Sequence, residues 1–348
     1  MGRALYTVRR ILQAIPVLLG VATITFFLIE AMPGDPVSIM LGPSPSAQQA
    51  AAIRAKYGLD QPVWVRYFNY LWDAARLQLG QSLYYKVPVT TKIMERLPVT
   101  LLLLLTSFAF ALLTAVPLGI LSAKRRNQPA DHISRVVALL GVSTPSFWIG
   151  LMLIIAFAYH APNTINLFGF TWDWFLPLPA TNLILPWADP ASVQQAGVET
   201  QWDVVVTSAR HLILPALSLG TLQMAAFTRI ERSSMLEVLN EEYVKLARAY
   251  GVKESTIVRK HAFRNAQLPL ITIVGLQLTG ALGGAVLTET VFSINGMGRL
   301  VITAINNQDI MLVMGTTLMF GVVFVVGVII TDLSYAYVDP RVSYDEAD

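Results

Sequence analysis

The chain has 348 residues, 54% of them apolar and only 14% charged, with a formal net charge of +3. Soluble proteins carry about 25% charged residues, so this composition excludes an ordinary soluble domain. It contains no cysteine, which excludes disulfides and thiolate metal sites.

Predominantly apolar runs of about 20 residues are candidate membrane helices. Six occur, at roughly 9–31, 98–121, 133–159, 208–230, 267–290 and 311–338. The basic residues stand next to these runs, where membrane topology places them, so the pI of about 9.1 does not argue for a nucleic-acid partner.

The first run follows Arg3, Arg9 and Arg10. It is longer than a signal-peptide core and no small-x-small site follows, so it reads as an uncleaved span. Pro33-Gly34-Asp35-Pro36 then predicts a helix stop and turn. Within 32–97, residues 47–58 predict a short helix closed by Gly58, and Pro62 opens another. Trp64, Tyr67, Phe68, Leu71 and Trp72 share one face of that second helix, which reads as packing against the membrane domain. Pro117, Pro145, Pro215 and Pro269 lie in or at the start of spans, where each removes a backbone hydrogen bond and favours a kink.

Lys124, Arg125 and Arg126 fill the loop after the second run, and seven Lys/Arg fill the loop after the fourth. Residues 160–206 contain neither Lys nor Arg. The positive-inside rule therefore puts both termini and the fourth loop in the cytoplasm, with 32–97 and 160–206 outside. Residues 32–97 also carry seven Lys/Arg, but at about 65 residues this segment exceeds the length over which the rule is reliable. The tryptophans at 172, 174, 187 and 202 fit interfacial anchoring. A docking rim for an external protein or solute is the alternative reading of 160–206. In the fifth run, Gly280 and Gly284 form a G-x-x-x-G pair beside Gly283. Packing within the chain and a role at a subunit interface or pathway remain equally open for them.

The segment 242–269, EYVKLARAYGVKESTIVRKHAFRNAQLP, is polar and helical yet lies between two membrane-length runs. Tyr243, Leu246 and Tyr250 recur at helical spacing and form an apolar stripe. Ala247, Ala249 and Gly251 are small enough for another backbone to approach. An ordinary solvated surface helix would show such a charged face too.

Specific letters separate the two readings. Glu242, Tyr243, Ala247, Arg248, Ala249 and Gly251, then His261, Ala262, Arg264, Asn265, Ala266 and Pro269, resemble the EAA loop of ABC importer permeases in the peptide/nickel branch. PGDP at 33–36, YGLDQP at 57–62, LGQSL at 79–83 and ETVFSINGMGRL at 289–300 resemble the same branch, with Asn295 where proline is usual.

The resemblance implies an all-α polytopic membrane protein with six transmembrane helices. Its fold would be that of a type I (MetI-like) importer permease with an extended external segment near the N-terminus. The division would be 1–97 for the first helix and external segment, 98–340 for the core with a coupling loop at 232–266, and 341–348 for a cytoplasmic tail. The chain would be the pore-forming subunit of an ATP-driven importer of di- or oligopeptides in the plasma membrane. Nickel chelates, glutathione and oligosaccharides are alternative cargoes, and an ion-coupled carrier is a distant one. It would pair with a homologous second permease, two ATPase subunits and an extracytoplasmic solute-binding protein within membrane lipid. ATP and Mg would reside on the ATPases, with no cofactor, metal or catalytic residue in this chain, in which no phosphate-binding G-x-x-x-x-G-K-[ST] occurs. Glu242, Tyr243, Leu246, Ala247, Arg248, Ala249, Gly251, Arg264 and Asn265 would couple to the ATPase. Gly251 is expected at a helix end with positive φ, and Glu254 is expected to face solvent.

This topology is testable because the chain is cysteine-free. Single cysteines at Ser44 and Gln194 should react with an impermeant maleimide in intact cells, and one at Ser255 only after permeabilisation. Labelling of position 255 from outside would overturn the orientation.

Overall fold

A bilayer core offers no hydrogen-bond partner to the backbone, so a spanning segment must satisfy itself, and a helix does so. The computed structural model describes residues 3–31, 37, 46–160, 165–167, 170–172, 178–181, 183–193 and 198–338, and is helical through nearly all of them. The expected turn at 33–36, positions 44, 173, 174 and 194, and the tail at 341–348 lie outside the described residues.

Among the described residues, four helices are long and apolar enough to cross a membrane alone, and two bent helix pairs bring the number to six if each pair is one span. In chain order, α1 is Arg3–Glu30, α2 Ala47–Tyr57, α3 Val63–Ala75 and α4 Val89–Lys124. Then follow α5, Pro129–Ser143, and α6, Ser146–Leu153, which continues as a π-helical turn, Ile154–Tyr159. A small antiparallel hairpin pairs β1, Ile165–Leu167, with β2, Phe170–Trp172. Helix α7 is Gln201–Leu239, α8 Glu242–Ala249, α9 Phe263–Val291, α10 Met297–Asn306 and α11 Ile310–Val338.

Apolar runs marked the helices but not their ends. Helix α4 begins at Val89 and α7 at Gln201, each several residues ahead of its apolar run. The early start of α7 has a local cause. Thr200 accepts from the Asp203 backbone N–H while the Asp203 side chain takes the Thr200 N–H, a capping box that satisfies two otherwise orphaned donors. Helix α2 shows the same device between Ser46 and Gln49, and ends at Gly58 with φ +63°.

The third expected span is not a straight rod. It breaks between Ser143 and Ser146, and its two halves are bent by 104°. Pro145 caps α6 and has no N–H to continue α5. Pro215 and Pro269, by contrast, lie inside continuous helices. The fifth span bends by 55° between Leu278 and Gly280.

Contacts within the chain define two compact units, 1–98 with 299–329, and 99–298 with 330–348. In the first, Asp309 fixes the segment before α4. It accepts from Ser82 Oγ (2.5 Å) and the Tyr84 N–H (3.0 Å), while its other oxygen caps Leu312 N. In the second, α7 is central and packs against α5, α6 and α9. Small residues permit this: a Cβ on Gly220 would stand 2.7 Å from the Ser107 carbonyl, and one on Gly141 2.9 Å from Ala225. Buried Glu289 organises the turn after α9. It accepts from Thr100 Oγ, which in turn accepts from Met297 N (2.8 Å). A Cβ on Gly296 or Gly298 would meet its carboxylate, so the two glycines of the ING-MG turn are required by close approach.

The tightest helix contact is Gly275 of α9 against Thr331 of α11, where an added Cβ would overlap the threonine side chain. Gly275→Ala should therefore lower the thermal stability of the purified protein, and Thr331→Ala should restore part of the loss. Equal losses in the single and double variants would show that the two positions are not coupled.

Candidate functional site

The segment joining α7 to α9 forms a small folded body with its own core. Met235 and Leu239 of α7, Val244 of α8, and Ile257, Val258, Ala262 and Ala266 bury one another, with Ala123 at the end of α4 completing the cluster. Ala247 and Val252 pack on its margin. Helix α8 thus has two apolar stripes. Val244 and Ala247 face inward, with Val244 fully buried, while Tyr243, Leu246 and Tyr250 are 40%, 57% and 80% exposed.

The end of α8 is a Schellman motif. Gly251 N–H donates to the Arg248 carbonyl (2.9 Å) and Val252 N–H to the Ala247 carbonyl (3.1 Å), with Gly251 at φ +74°. The positive φ expected from sequence is present. Its reason is the sharp reversal that returns Val252 to the same core as Ala247. A Cβ at Gly251 would meet nothing within 4 Å, so a larger residue is opposed by backbone strain and not by a neighbour in this chain.

Polar side chains brace the body. Tyr243 Oη accepts from Asn265 Nδ2 (2.8 Å) and reaches the His261 carbonyl at 3.5 Å, tying α8 to the start of α9. Arg248 grips Glu254 with two nitrogens, at 2.9 and 3.2 Å, and also reaches the Leu239 carbonyl. Glu254 is exposed, as expected, and is in addition paired with Arg248 across the turn. That pairing holds the Arg248 guanidinium above its ordinary pKa, so it stays charged. Glu242 is exposed and pairs with Lys245. Ala249 and Arg264 are exposed.

The structure brings Tyr243, Arg248 and Asn265 together with the loop's own framework, and leaves Leu246, Ala249, Tyr250 and Gly251 on its outer side. Gly280, Gly283 and Gly284 lie far along α9. A Cβ at Gly280 or Gly283 would meet nothing within 4 Å, and one at Gly284 would come 3.1 Å from Leu219. Among the described residues, closer helix approaches than at these three glycines occur at Gly275, Gly220 and Gly141.

One element of the site escaped sequence reasoning. Buried Asp131 of α5 accepts Arg232 Nε at 2.7 Å and Nη2 at 3.0 Å, together with Ser122 Oγ (2.6 Å) and the Asn127 N–H (2.9 Å). A bidentate guanidinium–carboxylate pair is directional as well as strong. It fixes the α4–α5 turn to α7 three residues before the loop core begins at Met235. Arg232 read only as a topology charge, and the 101-residue separation of the partners hides the pair from any local pattern. Adjacent Glu231 behaves differently. It is fully buried beside Gly119, and among the described residues neither carboxylate oxygen has a partner. Among those residues no cluster of His, Cys, Asp or Glu could hold a metal ion.

The sequence of the chain has recognisable relatives. Residues 115–344 match the family described as binding-protein-dependent transport system inner membrane component, and residues 3–104 match its N-terminal companion. The chain is 37% identical over 342 residues to the oligopeptide transport system permease protein AppB of Bacillus subtilis, covering 98% of this chain and all of that protein. It is 38% identical to the dipeptide transport system permease protein DppB of Alkalihalophilus pseudofirmus, with 97% and 99% covered. It is 37% identical to the protein of that name in Escherichia coli K12, with 97% and 98% covered.

The two buried carboxylates should respond oppositely to amide replacement. Asp131→Asn leaves Arg232 without its counter-charge and should cost about 3 kcal/mol, the scale of a broken buried pair. Glu231→Gln removes an uncompensated acid and should leave the melting temperature unchanged or higher. Thermal unfolding of the two purified variants in nanodiscs checks both; equal effects would contradict the assignment.

Proposed function

The chain belongs to the family of inner membrane components of binding-protein-dependent transport systems, and on that footing we propose that it forms half of the peptide pathway of an ATP-driven importer. The other half is a homologous second permease. Two cytoplasmic ATPase subunits supply the energy, ATP and Mg reside on them, and an extracytoplasmic binding protein delivers the solute. The chain itself catalyses no reaction. It spans the membrane several times, with both termini and the 232–266 loop on the cytoplasmic side. Di- or oligopeptides are the proposed cargo, the solutes named in its relatives.

The observation that carries this reading is the exposed stripe of Tyr243, Leu246 and Tyr250 on a loop whose other face is locked into the membrane helices. Apolar side chains presented at helical spacing suit insertion into a groove of a partner. The loop lies between the end of α7 and the start of α9, with the Arg248–Glu254 pair and the Tyr243–Asn265 bond making it one body. A displacement of the stripe by an ATPase is therefore transmitted to two spanning helices together. Fully flexible connections would absorb it.

The test separates docking from folding. Tyr250→Ala removes a side chain that is 80% exposed, so stability should stay within about 0.5 kcal/mol of wild type. ATPase binding and peptide-stimulated ATP hydrolysis should fall together, while Tyr250→Phe retains both. Gly251→Leu should add about 1 kcal/mol of backbone strain and uncouple transport while the protein remains in the membrane. Wild-type peptide uptake by reconstituted complexes carrying Tyr250→Ala would remove this loop from the mechanism.

A further inference from the structure

The external helix α3 has three faces, and only one of them is explained by the fold. Tyr67 and Tyr70 point to α1. Tyr67 Oη lies 2.8 Å from Thr23 Oγ1, its ring meets Phe26 and Phe27, and the Tyr70 ring stacks on Phe26 with centroids 5.7 Å apart. Burial against these rings raises the Tyr70 hydroxyl to a pKa of about 12. A second, polar face carries Asn69, Asp73 and Arg66, the last paired with Glu30. The third face is aromatic and uncovered. Trp64, Phe68 and Trp72, each four residues from the next, are 66%, 63% and 60% exposed, and Arg76 lies over the Trp72 ring at 4.2 Å. The sequence suggested that all five large residues pack against the membrane domain. The structure packs Tyr67 against α1, leaves Leu71 half-buried, and leaves the other three outside.

Where α3 attaches to α1 decides what covers them. Helix α1 has a 23-residue apolar stretch, Val8–Glu30, which is about 34 Å long and matches a hydrocarbon core of about 30 Å. Glu30 ends that stretch, so the Arg66–Glu30 pair marks the polar boundary. Phe26 and Thr23 lie about 6 and 10 Å inward from Glu30 at 1.5 Å per residue. The rings of α3 meet α1 at that level. On α1 itself, Ile24, Phe27 and Leu28 are exposed there and form its lipid-facing surface. Tyr67, in ring contact with both Phe26 and Phe27, holds α3 beside that surface.

We infer that α3 is an interfacial helix whose Trp64–Phe68–Trp72 face is embedded in the phospholipid at the headgroup–acyl boundary beside the Glu30 end of α1. A helix of this kind buries its apolar face 5–10 Å into that boundary, about the depth at which α3 is pinned. Tryptophan is favoured there because its ring is apolar and its N–H can bond to water or headgroups. Arg76 over Trp72 places a cation at the edge of the buried face, within reach of lipid phosphate, and Asp73, about 140° around the helix from Phe68, stays in water. Helix α3 thereby sets the depth and tilt of α1, to which it is tied at three levels.

The inference uses α1 as a membrane span and does not depend on the cargo or on ATPase docking. Its test is a nitroxide scan of the whole importer in nanodiscs, since the chain has no native cysteine. Single cysteines replace Trp64, Phe68 and Trp72, with Asn69 and Asp73 as polar-face references. Oxygen partitions into lipid and a neutral nickel chelate into water. Labels at 64, 68 and 72 should collide several-fold more with oxygen than with the chelate, and the reference positions should show the reverse. Chelate access at all five positions would overturn the inference. So would labels at 64, 68 and 72 that are immobilised and shielded from both reagents, the result expected if a protein subunit covers this face. A second measurement avoids cysteine altogether. Lipid brominated near the headgroup should quench a part of the tryptophan emission that is missing from the Trp64→Phe, Trp72→Phe variant; no difference would also overturn it.

Discussion

Helix α7 has to do two things that a bilayer makes hard to combine. It must cross a medium that offers its backbone no partner, and it must carry a polar, folded loop beyond that medium. Length resolves the conflict. At 39 residues α7 is about 58 Å long, roughly twice the hydrocarbon thickness, so its far end emerges with the loop core already attached. Its inner surface is lined with Ser218, Gly220, Ala216 and Ala225, small residues that let α4, α5 and α6 approach closely. In lipid there is no hydrophobic drive between helices, so such close packing and buried hydrogen bonds provide the adhesion.

Three buried carboxylates make hydrogen bonds near the ends of spans. Asp131 holds Arg232, Ser122 and a turn amide at one end of the second unit, and Glu289 holds Thr100 and the glycine turn at another. Asp309 does the corresponding work in the first unit, gathering Ser82, Tyr84 and the start of α11. Asp131 and Asp309 each accept several donors, which is how a buried charge is tolerated. Spans stay apolar in the middle, and the connections acquire fixed shapes. The loop between α7 and α9 is the clearest product of this arrangement, a polar body held by an apolar core of a few residues.

Two exposed apolar surfaces stand in contrast. On the loop, Tyr243, Leu246 and Tyr250 stand on a body anchored to two helices. On α3, Trp64, Phe68 and Trp72 stand on a helix held against α1 by Tyr67 and Tyr70. Both are amphipathic helices with a stripe left over after internal packing. Their attachment distinguishes them: one continues from the end of α7, beyond the hydrocarbon, and the other is pinned alongside a span at interfacial depth.

By itself the sequence determined the membrane class, the apolar spans, the helices at 47–57 and from Val63, and the outward stripe of the loop. These follow from composition and from residue spacing along one helix, which are local properties. It also determined the left-handed turn at Gly251, because a Schellman end requires a residue that tolerates positive φ. Only the tertiary structure decided that Ala247 turns inward, that Arg248 is engaged by Glu254, and that Asp131 meets Arg232 from across 101 residues. The same holds for the 104° bend at Pro145, when Pro215 and Pro269 leave their helices continuous, and for Gly275 as the closest helix contact instead of Gly280. The reason is physical. In a bilayer an apolar residue is equally content against lipid or against another helix, so hydropathy reports that a segment is buried but not in what. Which side chains meet is fixed by how the helices cross, and no single helix encodes that.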